Sequence, residues 1–502
     1  MKGTGMLMLS LAVLAGCSTN VKVREWVSST DSVKWQGHDI SAEALKEAAE
    51  NTIVVDPART DQVMKGFGTC FNEQGWASLS AVPQEERDGI FRELFSGEGA
   101  GLTCNRMPVA SNDFSLKSYS YDDVDGDFAL EHFSIDNDRA TLIPFIKEAQ
   151  KVNPSLQIWA SPWCPPSWMK TNKHYACAST KGLAERFAAL RKRMEATGFG
   201  ENPDRPRPDT GFSMELVDNG LDPSKTISEG EDGFVQEEKY LDAYARYFGK
   251  FIDAYKAEGI DIWMVMPQNE FNSAQPYPAC TWTAKGLTSF LHYLVPEMEK
   301  RGVQVFYGTV ERADRSLTDT ALRDPEIGSR LGGVAFQWAG KDALPLIRAD
   351  YPDLTYVQSE QECGNGRNDW DAALHAWDLM KHYIGNGCSI YDYWNTSLFL
   401  GKPSVWGWHQ NSLITVEEGT GKFEYTPEFY VLKHASHYVK PGAKRIVLEG
   451  TYGNALAFVN PDGSVALLAG NQTDAPVPVT VQLGKKSVSF ALPAQSVNTI
   501  VL

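Results

Sequence analysis

Two periodicities alternate along the middle of the chain. Short, nearly unbroken apolar runs, rich in β-branched and aromatic residues, recur at "GFGTCF" (66–71), "GLTCNRMPV" (101–109), "LQIWASPW" (156–163) and "IDIWMVMPQ" (260–268). The series continues with "VQVFYGTV" (303–310), "GVAFQW" (333–338), "LTYVQS" (354–359) and "CSIYDYW" (388–394). Most intervals between them repeat apolar residues every three to four positions, as in "LIPFIKEAQKV" and "YLDAYARYFGKFIDAYKAEG". That is the period of a helix with one buried face. Strands that are apolar on both faces and alternate with helices predict a parallel sheet covered on both sides. Eight of them predict a closed (β/α)8 TIM barrel.

Past residue 430 the rhythm changes. "AKRIVLEGTY", "ALAFVN", "SVALLAGN", "VPVTVQLG", "SVSFAL" and "SVNTIVL" are short strands split by "PDG", "GN" and "GKK" turns, the pattern of a small antiparallel β domain. The chain therefore divides into a polar linker with short strands over 18–65 ("SVKWQG", "TIVVD"), a barrel over 66–429 and a β-sandwich over 430–502. One barrel interval, 164–259, is anomalous, because its segment 197–233 is rich in Pro, Gly and charge. A loop of that length in a compact domain is usually functional, and leaving a strand's C-terminal end it is expected beside the cleft.

The first residues, "MKGTGMLMLSLAVLAGCSTN", carry one Lys and an apolar run from Met6 to Ala15. The run is too short for a permanent membrane span and reads as a secretion signal over 1–17. Leu14-Ala15-Gly16-Cys17 has the form of a bacterial lipobox, in which Cys17 is lipidated. The expectation is export and anchoring to the bacterial envelope through the lipid alone. Net charge of −17 argues against nucleic-acid or anionic-membrane partners, which are held by basic patches. With Cys17 set aside, Cys70, Cys104, Cys164, Cys177, Cys280, Cys363 and Cys388 are odd in number and include no CxxC pair, which excludes zinc ribbons and thioredoxin-like motifs. Cys164 and Cys177 are close enough in sequence to bridge a loop, and small buried residues is the alternative reading.

In a TIM barrel the active site lies at the C-terminal strand ends. Glu270, in "MVMPQNEFNSAQ", ends the fourth run, and Glu360, in "TYVQSEQECG", ends the seventh. Two carboxylates facing each other across a barrel mouth are what glycoside hydrolysis requires, one to protonate the leaving oxygen and one to attack or to activate water. Arg106 and Asp113 follow the second strand, Trp163 the third and Trp394 the eighth. There is no HExxH, GxSxG, Walker loop or strand-to-helix GxGxxG. His434 and His437 in "HASH" sit in helical text, where packing or surface exposure explains them better than metal binding. Hydrolysis without metal or cofactor is the expectation.

The segments "RMPVASNDFS", "ASPWCPPSWMKTN", "QNE", "SEQECG", "DYWN" and "HYVKPGAKRI", in this order, resemble glycoside hydrolase family 30. The resemblance covers roughly residues 60–450. It implies a (β/α)8 barrel with a side β-sandwich built from both chain ends, and a retaining mechanism with carboxylates about 5 Å apart. It further implies Glu270 as acid/base, Glu360 as nucleophile and Asn269 as the residue holding the sugar 2-hydroxyl. Arg106, Asp113, Trp163, Trp394 and Trp338 fall at sugar-binding or nucleophile-supporting positions, and Tyr277 at that of a tyrosine beside the nucleophile. Glu362 is the rival nucleophile, sharing a strand face with Glu360. The chain departs from the family at Phe271, where a Pro follows the acid/base, and at Phe336-Gln337-Trp338, where relatives carry a His-x-Tyr-like segment. The implied substrate is a β-glucoside or β-glucan. An endo-β-1,6-glucanase, a β-xylosidase or xylanase, and a catalytically silent glycan-binding lipoprotein are the alternatives.

Overall fold

The computed structural model describes residues 21–183, 213–215 and 217–502. The apolar run Met6–Ala15, Cys17 and most of the Pro- and Gly-rich segment lie outside the described residues. At the centre, parallel strands β1 (Gly66–Cys70), β2 (Cys104–Val109), β3 (Gln157–Pro162) and β4 (Ile262–Val265) are followed by β5 in two pieces, Gln304–Val305 and Tyr307–Val310. The set is completed by β6 (Gly333–Gln337), β7 (Thr355–Glu360) and β8 (Cys388–Asn395). The first piece of β5 pairs with β4 and the second with β6, while β8 pairs with β1. The eight-strand ring is closed through β5.

The ring closes on a packed interior. Cys104, Trp159, Met264, Met266, Phe306, Ala335, Val357 and Ile390, from β2 to β8, form one buried layer inside the barrel, with Phe306 filling the break in β5. Space is tight enough that a Cβ on Gly68 would run into the Cys104 carbonyl oxygen and Asp392 Oδ1. This close approach requires glycine there. Outside the ring, helices dock their apolar stripes. The helix Glu238–Ala257 buries Leu241, Tyr244, Phe248, Phe251, Ile252 and Tyr255, the three-to-four spacing that its sequence shows.

Strands from both chain ends build the side domain. Glu25–Thr30 pairs antiparallel with Ser496–Val501, within a sheet that also holds Val465–Asn471, Ala455–Val459, Lys444–Ile446 and Thr60–Val63. The second sheet contains Asn51–Val55, Val477–Leu483 and Lys486–Leu492. The sandwich is antiparallel with one exception: Asn51–Val55 runs parallel to Val477–Leu483. Trp26, Ile53, Val481, Phe490, Leu467 and Ile500 pack between the sheets. His434, from the helix Pro427–Ser436, is buried at the seam between the two domains and bonds Thr499 Oγ1 at 2.9 Å and Ser29 Oγ at 3.0 Å. Burial holds this imidazole neutral, its pKa pushed down to about 3. His437 bonds the Gly99 carbonyl, so both histidines of "HASH" are packing residues. Cys164 and Cys177 are buried free thiols, as are Cys70, Cys104, Cys280, Cys363 and Cys388.

Candidate active site

The mouth at the C-terminal strand ends holds a cavity of about 470 Å3 lined by Asp113, Glu270, Tyr277, Glu311, Trp338 and Glu360, among others. Its backbone is unusual. Ala110 after β2, Glu270 after β4 and Trp338 after β6 have φ of 65°, 44° and 46°, the left-handed region that costs an L-residue about 1–3 kcal/mol and is concentrated at functional sites. At Glu270 the turn is held from outside: its N–H donates to Thr309 Oγ1 of β5 at 2.8 Å, and the Asn269 N–H donates to the Pro162 carbonyl of β3 at 2.7 Å. A carboxylate at the end of a buried strand is thus aimed inward by its neighbours rather than left on a loop.

Glu360 is aimed by register. Phe336 pairs with Gln358 but Gln337 pairs with Glu360, so Ser359 is an extra residue on β7. Such a bulge redirects the side chain that follows it. Ser359 Oγ donates to the Phe336 carbonyl at 3.1 Å and to Gln337 Oε1 at 2.9 Å, fixing the amide's orientation. The Gln337 Nε2 then donates to Glu270 Oε1 at 3.4 Å and to Glu360 Oε2 at 3.2 Å. One nitrogen bonding both carboxylates limits the separation of those two oxygens to about 6.6 Å, the two bonds end to end.

The two carboxyls have different company. Glu360 accepts from Arg106 Nη1 at 2.9 Å and Trp338 Nε1 at 3.2 Å. Glu270 accepts from Tyr277 OH at 3.1 Å and Gln275 Nε2 at 3.4 Å, both neutral. Arg106 is fully buried. Its other contacts are Asn269 Oδ1 at 2.7 Å, Ser161 Oγ at 2.8 Å and the Ser359 carbonyl at 3.0 Å. Its guanidinium carbon sits 4.4 Å from the Trp163 ring centre and 5.4 Å from that of Trp394, within cation–π range. Trp163 and Trp394 stack on each other at 5.1 Å and are almost fully buried. They therefore support Arg106 from the barrel interior.

Burial raises both catalytic-position carboxyls above their ordinary range. For Glu360, Arg106 opposes the shift and the Glu270 charge adds to it; for Glu270, the Tyr277 hydrogen bond is the largest opposing influence. The cation bonded to Glu360 favours its ionised form, while the charges of Arg312 and Arg106 act in the same sense on Glu270, whose direct donors are neutral. Asp113, also buried, is pushed well up by desolvation and by the charges of Glu360 and Glu270. Its Oδ1 accepts no hydrogen bond, an acceptor ready for a ligand hydroxyl.

Two expectations are corrected. Tyr277, placed by resemblance beside Glu360, bonds Glu270 instead, because the 270–279 loop folds back over its own strand end. Glu362 does not share a strand face with Glu360, since β7 ends at Glu360. Glu362 turns to Lys341 Nζ at 2.8 Å and His375 Nε2 at 2.9 Å, which hold its carboxyl below the usual range despite burial. Gln337, Thr309, Gln275 and Ser161 were not singled out by sequence reasoning; the one available signal was that Gln337 and Thr309 also sit at the ends of strands. The described ends of the long excursion reach the same mouth, Glu215 bonding His409 beside the cavity residues Trp408 and Gln410. Among the described residues, no group of His, Cys, Asp and Glu side chains is arranged to hold a metal ion.

Residues 64–185 and 225–439 match the glycosyl hydrolase family 30 TIM-barrel domain, and residues 442–500 match the family 30 beta sandwich domain. The lysosomal acid glucosylceramidase of Mus musculus is 25% identical over 459 residues, covering 86% of this chain and 79% of that one. The endo-1,6-beta-D-glucanase of Neurospora crassa is 23% identical over 465 residues, covering 86% of this chain and 83% of that one. Among solved structures, SrfJ from Salmonella typhimurium superposes with a TM-score of 0.78 at 21% identity over 95% of this chain and 99% of that one. The eight barrel strands and both facing carboxylates lie within the matched segments, as do most of the sandwich's C-terminal strands, and the chain belongs to glycosyl hydrolase family 30.

Proposed function

We propose that this glycoside hydrolase cleaves β-glucosidic bonds with retention, Glu360 acting as nucleophile and Glu270 as acid/base. The observation that carries the reading is the single Gln337 amide bonded to both carboxylates. The resulting upper limit of about 6.6 Å admits the spacing of about 5–5.5 Å for direct attack and excludes all but the lowest edge of the 6.5–9.5 Å that admits a water. In the first step a Glu360 oxygen forms a bond to the anomeric carbon while the glycosidic bond breaks and the Glu270 proton passes to the leaving oxygen. In the second, water attacks the same carbon, its proton goes to Glu270, and Glu360 departs as a carboxylate. Arg106 favours the ionised nucleophile and orients Asn269 through the 2.7 Å bond. Glucosidic specificity is supported by the names of the mouse and Neurospora relatives.

Azide separates the roles. Glu360→Ala with azide and an aryl β-glucoside should yield the α-glucosyl azide; Glu270→Ala should yield the β-glucosyl azide, because azide needs no general base. Exchanged anomers would reverse the assignment. We also infer export and lipidation at Cys17, supported by the Met6–Ala15 run and Leu14-Ala15-Gly16-Cys17.

A further inference from the structure

Beyond the paired carboxylates, the cavity has a third acidic wall that the reaction does not use. Glu311 directly follows β5 (its second piece ends at Val310) and lines the cavity with its side chain 1% exposed. Its Oε2 is ion-paired with Arg312, whereas its Oε1 has no partner. Buried acceptors are almost always paired, and the full cost of leaving one dry is about 1–3 kcal/mol, more when charged. A desolvated, unpartnered carboxyl oxygen facing a cavity fits a donor brought by the ligand.

Its position says which part of the ligand. Arg312 reaches Ser273 Oγ at 3.3 Å in the loop that follows Glu270, and it also pairs with Glu229 of the long excursion. Arg312 acts electrostatically on Glu270, whereas Arg106 and Trp338 bond Glu360 directly. In double displacement the nucleophile and the leaving oxygen occupy opposite faces of the anomeric carbon. The group bonded through that oxygen therefore extends from Glu270 toward Glu311.

Resting on the β-glucosidase reading, we propose that Glu311 is a specificity-determining residue that accepts a hydroxyl of the leaving group, and that this leaving group is a sugar. The surrounding wall agrees. Arg312, Lys341, Glu362, Gln275 and Gln410 bring charge and amides to the cavity, and Trp408 and Tyr277, with ring centres 5.9 Å apart, bring aromatic surface. Hydroxyl-rich rings with apolar faces suit such a surface. A long alkyl leaving group would desolvate those polar groups without pairing them.

The test is the ratio of kcat/KM for a β-linked gluco-oligosaccharide to kcat/KM for an aryl β-glucoside, measured for wild type, Glu311→Gln and Glu311→Ala. The ratio should fall roughly tenfold or more in Glu311→Ala, the scale of one hydrogen bond to a charged group, and less in Glu311→Gln, which retains an acceptor oxygen. A ratio unchanged in both variants overturns the assignment to Glu311. Wild type that cleaves the aryl glucoside and glucosylceramide but not the oligosaccharide overturns the sugar leaving group and spares the β-glucosidase reading. Wild type that cleaves no β-glucoside overturns both.

Discussion

Arg106 Nη1 lies 2.9 Å from Glu360 Oε2 in a pair that is almost wholly desolvated, side-chain exposure being 0% and 7%. The same guanidinium also holds Asn269 and Ser161 from a different edge of its fork. Lysine carries the charge but has neither the planar fork nor the stacking surface. Arg106→Lys should lower kcat on an aryl β-glucoside by roughly a hundredfold or more, the scale of removing an oriented charge stabiliser. A variant within a few-fold of wild type would show that charge alone suffices.

The Tyr277–Glu270 bond predicts a pH effect with a definite sign. Under the proposed roles the active form has Glu360 ionised and Glu270 protonated, so kcat/KM should be bell-shaped, its alkaline limb set by loss of the Glu270 proton. Burial raises the Glu270 pKa and the Tyr277 hydrogen bond lowers it. Tyr277→Phe removes the lowering influence, so the alkaline limb should move to higher pH in a kcat/KM profile. Movement to lower pH would show that the hydroxyl serves another group.

Glu428 gives a stability prediction away from the catalytic carboxylates. It is buried beneath the β8 end, accepts from Tyr393 OH at 2.9 Å and Asn411 Nδ2 at 2.8 Å, and burial pushes its pKa up to about 8. Because the folded value lies above the ordinary one, the native state binds the extra proton. The contribution to stability is complete below the unfolded pKa and is lost as pH rises toward about 8. Thermal unfolding of Glu428→Gln should show a shallower loss of Tm between roughly pH 5 and 8 than wild type. Parallel curves would refute a protonated Glu428.

Lipidation is tested directly. Labelled palmitate should enter the wild-type protein expressed in a bacterial host and should not enter Cys17→Ala. Label in both would overturn the lipobox reading.

Much of this architecture is legible in residue periodicity, and some is not, for reasons the residues themselves show. The eight apolar runs identify the strands because each must be buried on both faces, and strand ends then point to Glu270 and Glu360. What a strand end cannot reveal is the partner across the mouth. Gln337 matters because the extra residue Ser359 shifts β7 by one position against β6, a pairing fact with no local signature. Which carboxylate Tyr277 reaches is not legible either, because the course of its loop depends on contacts with the long excursion, such as Asn219 Nδ2 to the Pro276 carbonyl at 2.8 Å. Glu311 reads as one more charge after a strand until the cavity is seen.

The pairing of Glu25–Thr30 with Ser496–Val501 has a consequence for the order of assembly. A ribosome makes the first of these strands hundreds of residues before the second. Ser496–Val501 also pairs with Val465–Asn471, so the larger sheet lacks a central strand until this late segment emerges. The barrel can collect its neighbours in sequence as they emerge, whereas the N-terminal strand waits with an open edge. Such an edge is a template for unwanted pairing, and the waiting chain is best kept extended by a holdase, or by translocation, until Ser496–Val501 arrives.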